Sequence, residues 1–109
     1  MSAVEVVLLE ELERSKNIII SYREMLNKLP RGTIYIRKMG NSSFAYRKRK
    51  ESNRVISEYL GNINDDLVKQ EIEKSKEYKR IKNNIRIASL EYEKLRKACN
   101  IYERKRKTY

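Results

Sequence analysis

The sequence predicts an α+β protein: two long heptad-patterned helices, at about 2–29 and 65–107, form an antiparallel hairpin with a three-stranded antiparallel β-meander at about 33–60 between them. Three observations predict it. Apolar residues in the first and last thirds recur at alternating intervals of four and three, which keeps one stripe of a helix facing another helix. In the middle third the period changes to two, in segments rich in Ile, Val, Tyr and Thr. Proline, glycine and asparagine fall where the period changes, as punctuation between elements does.

The first helix carries its stripe on Leu8, Leu12, Ser15, Ile19, Tyr22, Leu26 and Leu29. Ser2 followed by Glu5 has the spacing of a capping box, and Pro30 with Gly32 closes the helix. Ile18 and Ile20 flank the stripe, which predicts that this helix also covers a sheet.

The strands read as GTIYIRKM, SFAYRKR and RVISEYLG, joined by turns at Gly40–Asn41 and at residues 51–53, with Gly61 and Asn62 as the exit. Alternation sets Tyr35 and Arg37 opposite Ile34 and Ile36, and Ala45, Arg47 and Arg49 opposite Phe44 and Tyr46. Ile34, Ile36, Phe44, Tyr46, Ile56 and Leu60 are the candidates to face the helices, with Val55 and Tyr59 as the alternative pair on the third strand.

The last helix opens on acids and closes on cations, the polarity its dipole favours, with Asn64 as the expected N-cap. Its stripe is Tyr78, Ile81, Ile85, Ala88, Tyr92, Leu95, Cys99 and Tyr102, with Val68, Ile72 and Ser75 on a stripe shifted near Lys76. At a rise of ~1.5 Å per residue it would span about 65 Å against about 40 Å for the first, leaving Leu95, Cys99 and Tyr102 for a partner or a second copy.

Composition bounds the function. A chain of 109 residues is expected to form one domain, 1–109, with a modest core and no deep enclosed active site. It carries 26 Lys and Arg against 15 Asp and Glu, a formal charge of +11 that attracts polyanions. The charge is placed unevenly. Residues 1–30 hold four cations and five anions, residues 31–63 eight and two, and residues 64–109 fourteen and eight. The single Cys99 allows no internal disulfide and suits a reduced, cytoplasmic setting. The opening MSAVEVVLLEELERSKN has no basic n-region, and no apolar run is long enough to cross a bilayer, so neither signal peptide nor membrane attachment is expected.

An enzyme is not expected. There is no histidine for general catalysis or metal ligation, and the three isolated glycines build no phosphate-binding loop. No cofactor and no metal are expected. Cys99 occupies a stripe position and reads as packing, and Asp65 and Asp66 as ordinary helix-start acids. The binding chemistry lies in the meander: Arg37, Lys38, Arg47, Lys48, Arg49, Lys50 and Arg54 can contact phosphates, and Tyr35 can stack on a base. Cations on exposed strands also guard against sheet-to-sheet aggregation, though that role needs no single sign of charge. Arg104, Lys105, Arg106 and Lys107 form a basic tail, which suits either polyanion contact or a solvated helix end.

The segment LPRGTIYIRKMGNSSFAYRKRKESNRVISEYLG, through Leu29, Pro30, Gly32, Thr33, Phe44, Tyr46, Tyr59, Leu60 and Gly61, resembles a module of small phage and mobile-element proteins that also occurs near the N-terminus of some insertion-sequence transposases. The resemblance covers about a third of the chain and implies nucleic-acid handling without a catalytic residue. Two functions are therefore expected in order: non-enzymatic binding of RNA or DNA, or inhibition of a nucleic-acid enzyme by protein contacts, as an anti-CRISPR protein blocks an RNA-guided nuclease.

Overall fold

The computed structural model describes the backbone of residues 2–108, and the side chains of that range except at 102, 103 and 105–108. Helix α1 (Ala3–Asn27) is followed by strands β1 (Thr33–Met39), β2 (Ser42–Glu51) and β3 (Arg54–Asn62) and by helix α2 (Asp66–Thr108). The strands form one antiparallel sheet in the order β1-β2-β3. The α+β class and all five elements follow the sequence expectation closely. The chain divides into two compact units, one of residues up to Leu26 together with those from Ile81 onward, the other of residues 27–80.

In the helical unit α1 starts on Ser2 as its N-cap: the Ser2 Oγ accepts the Glu5 backbone N–H at 3.2 Å. Along α1, Leu8, Leu12, Ser15, Tyr22 and Leu26 are half-buried and Ile19 is buried. From α2 the same unit buries Ile81 and Ala88 and half-buries Ile85, Tyr92, Leu95 and Cys99. The side chain of Tyr102 and those of Lys105, Arg106 and Lys107 lie outside the described residues; Arg104 is exposed. Glu11 pairs with Arg14 at 2.6 Å on the exposed flank of α1.

In the sheet unit both turns have two central residues. Gly40 sits at φ +64° ahead of Asn41, and Ser52 and Asn53 both have positive φ, +46° and +66°. Two successive left-handed residues make a type I′ turn, whose twist matches that of the strands it joins. Asparagine tolerates this conformation and serine does so less readily. Ser52→Gly is therefore expected to raise the stability of the sheet by up to about 1 kcal/mol, read as a higher urea midpoint. An unchanged or lower midpoint would contradict the turn assignment.

The register decides which residues share a face, since directly paired residues of antiparallel strands point the same way. Ile34 pairs Arg47, Ile36 pairs Ala45 and Lys38 pairs Ser43, while Tyr35 pairs Tyr46 and Arg37 pairs Phe44. The expectation that Phe44 and Tyr46 accompany Ile34 and Ile36 toward a helix is thus overturned. Ala45 is 0% exposed and takes the buried place on β2.

A β-bulge explains how the helix reaches this face. Ala45 pairs Gly61 and Tyr46 pairs Tyr59, so Leu60 is an extra residue on β3. The bulge shifts the alternation and sets Gly61, rather than a leucine, across from Ala45. Val68 of α2 packs there: a Cβ on Gly61 would stand 3.1 Å from the Val68 methyl, and Val68 is itself 4% exposed. Two small residues side by side let the first turns of α2 lie close on the sheet, and a phenyl ring at position 45 would hold them off. The N-cap is Asp65 rather than the expected Asn64. The Asp65 carbonyl accepts the Lys69 N–H at 2.9 Å, while Asn64 is held in a turn by the Asn62 side chain at 3.0 Å.

Candidate nucleic-acid interface

The eight residues expected to bind nucleic acid divide between the two faces of the sheet. Tyr35, Arg37, Lys48 and Lys50 share one face; Lys38, Arg47, Arg49 and Arg54 lie on the other, with Ala45 and Ile56. The two faces differ in how their charges are matched.

On the helix-side face the arginines have acidic neighbours. Arg47, only 12% exposed in its side chain, donates to the Glu71 carboxylate of α2 at 2.5 Å, and Arg49 lies 3.7 Å from Glu51. Arg47 is thereby removed from the set of cations open to a ligand. Glu71 also accepts from Lys74 at 3.3 Å. The Arg47 hydrogen bond holds the Glu71 carboxyl below its ordinary value; partial burial opposes this, and the Lys74 contact adds to it.

The sign of the linkage follows. A carboxylate with a lowered folded pKa contributes stability above its unfolded pKa, and that contribution is lost as pH falls through the folded value. Glu71→Gln is expected to cost about 1–2 kcal/mol near pH 7, because a half-buried guanidinium loses its charged acceptor. The difference from the unsubstituted protein should shrink as acid protonates Glu71 in both folded and unfolded chains. Denaturant titrations at neutral and acidic pH check this, and a difference that grows in acid would contradict it.

The opposite face carries an aromatic ladder. Tyr35, Tyr46 and Tyr59 are register partners across all three strands. The rings of Tyr35 and Tyr46 stack at 5.3 Å with 12° between their planes, Tyr46 and Tyr59 meet at 5.3 Å and 60°, and Phe44 joins Tyr59 at 6.2 Å. The Tyr35 hydroxyl is 2.6 Å from the Ser57 hydroxyl, which fixes the first ring of the row. The outer rings remain open, Tyr35 being 38% exposed and Tyr59 58%.

Arg37, Lys48 and Lys50 stand exposed beside the rings. The residues on this side of the strands are Thr33, Met39, Ser42, Val55, Ser57 and Asn62 besides the rings and cations just named, so among the described residues the strands bring no carboxylate to this face. At its edge a hollow of about 340 Å³ is lined by Arg31, Gly32, Thr33, Lys48, Arg49, Lys50 and Val55. Arg31 was not among the expected binding residues. Its position two residues before β1, beside the end of β2, follows from the pairing of Thr33 with Lys48, which no local pattern announces.

Elsewhere the cations are more evenly matched. On α2, Glu73 pairs Lys76 at 3.2 Å, Glu77 pairs Arg80 and Glu93 lies 3.7 Å from Arg96. These pairs at i,i+3 belong to a solvated helix face. Among the described residues there is no group of three or more metal-ligating side chains and no helix long and apolar enough to cross a membrane. Set against known proteins, the chain has no significant match to a family model, a curated protein or a solved structure.

Proposed function

We propose that the protein is a non-enzymatic nucleic-acid-binding protein that holds the phosphate backbone through its basic β-meander. The observation that supports this reading best is the segregation of charge on the sheet. Its helix-side arginines lie beside carboxylates, whereas Arg37, Lys48 and Lys50 share an open face with aromatic rings and no acid. Cations left without counter-charges on a surface favour a polyanion, and rings favour one that offers bases. The resemblance of residues 29–61 to a phage and mobile-element module points the same way. In the helical unit, the matching stripes on α1 and on α2 beyond Ile81 support their pairing as an antiparallel hairpin, which would act as a scaffold rather than a contact surface.

Electrophoretic mobility with RNA and with DNA, at about 50 mM and about 200 mM salt, tests the proposal. Retardation at low salt that weakens steeply at high salt is the expected result. No retardation of either polymer at low salt would overturn it.

One observation favours a second reading, an inhibitor or adaptor that lodges against a nucleic-acid enzyme. One flank of α1 exposes Val7, Ile18 and Met25, and a groove there is lined by Ile18, Tyr22 and Met25 among polar residues. Exposed apolar residues grouped in this way suit a protein surface better than a phosphate backbone. A partner protein retained after exhaustive nuclease digestion would favour this second reading over the first.

A further inference from the structure

The tyrosine-bearing face carries more information than a basic patch alone. Its three cations could serve duplex and single strand alike, since both present phosphates. Its rings cannot. Bases in a duplex are stacked on one another, and only unpaired bases can be laid against an aromatic side chain.

We propose that this face binds single-stranded nucleic acid, its bases stacking on Tyr59 and Tyr35 while its phosphates meet Arg37, Lys48 and Lys50. The inference rests on the nucleic-acid reading above and makes it specific. The ladder Tyr35–Tyr46–Tyr59 crosses the whole sheet and ends in its two most exposed rings, so each end offers aromatic surface that no protein group covers. Two inter-strand spacings of ~4.8 Å make the ladder about 10 Å wide, room for two or three bases. Tyr46, held between its neighbours at 5.3 Å on either side, acts as the spacer. The cations flank the ladder along the strands: Arg37 lies two residues from Tyr35 on β1, and Lys48 and Lys50 lie two and four residues from Tyr46 on β2. Because β1 and β2 are antiparallel, Arg37 stands on one side of the ladder and Lys48 and Lys50 on the other, so phosphates entering and leaving the stacked bases would meet them. No base edge is read by such an arrangement, so binding should tolerate sequence.

A cross-strand aromatic row also stabilises a sheet without any ligand. The test separates the two roles. Equilibrium binding is measured for a single-stranded oligothymidylate, a single-stranded oligouridylate and a DNA duplex of equal length, using the intact chain. Its emission comes from eight tyrosines and no tryptophan, so stacking on the ladder quenches the signal directly. Both single strands are expected to bind more tightly than the duplex and to quench tyrosine emission.

Tyr59→Leu keeps apolar cover but removes the ring. It should weaken single-strand binding by about 5- to 100-fold and leave duplex binding unchanged, while Tyr59→Phe retains most of the affinity. Thermal melting of each variant establishes that the protein measured is folded. Equal affinity for duplex and single strand, with Tyr59→Leu changing only the melting temperature, would overturn the inference and leave general nucleic-acid binding standing. Absence of binding to all three polymers would overturn both.

Discussion

Gly61→Ala is expected to lower stability by about 2–3 kcal/mol, a large loss for a methyl group on a chain of 109 residues. Two costs combine. Gly61 has φ +132°, where a side chain strains the backbone by about 1–3 kcal/mol. The added Cβ would also stand 3.1 Å from the Val68 methyl, tighter than an ordinary van der Waals contact, so α2 or the valine must move. The two sites should therefore couple. Val68→Ala alone opens a cavity in the buried contact between sheet and helix, whereas in the Gly61→Ala background it also relieves crowding and should cost less. Urea titrations of the two single variants and the double variant measure the coupling. Strict additivity would mean that Gly61 and Val68 do not meet, and that the bulge at Leu60 has another purpose.

The largest expected effect on function comes from reversing charge on one face of the sheet. Lys48→Glu with Lys50→Glu should weaken nucleic-acid binding by about 100-fold or more at low salt. It should also make the dependence of log affinity on log salt shallower by about 1.4, the contribution of two phosphate contacts to a single strand. Lys38→Glu with Arg54→Glu changes net charge equally but on the helix-side face, and its effect should be several-fold at most. All four residues are exposed, so neither pair is expected to unfold the protein. Equal losses from the two pairs would mean that total charge, and not its placement, governs binding.

Much of this architecture was legible in the sequence because it depends on local pattern. The change from helical spacing to alternation and back marks every element, and Pro30, Gly40 and Asn53 mark breaks between them. Charge placement was legible as well, since counting needs no coordinates. The sidedness of β2 was not. Phe44 and Tyr46 are its large apolar residues, and burial by size alone sends them toward the helix. What decides the matter is Ala45, whose small side chain allows close approach, together with the bulge at Leu60 that sets Gly61 across from it. A glycine near the end of a strand that leads into a helix was the available signal. The removal of Arg47 from the binding set depends on Glu71, 24 residues away, and no spacing rule connects them. The rings were seen one at a time in the sequence, and only the register assembles Tyr35, Tyr46 and Tyr59 into a row.

The most direct test of the central claim, that the tyrosine-bearing face is the nucleic-acid surface, is chemical-shift mapping of the full chain as a short single-stranded oligothymidylate is added at low salt. The perturbations should centre on Tyr35, Arg37, Tyr46, Lys48, Lys50 and Tyr59, with Ala45, Arg47 and Val68 on the opposite side little changed. Perturbations confined to residues 104–107, or spread over the paired cations of α2, would contradict it.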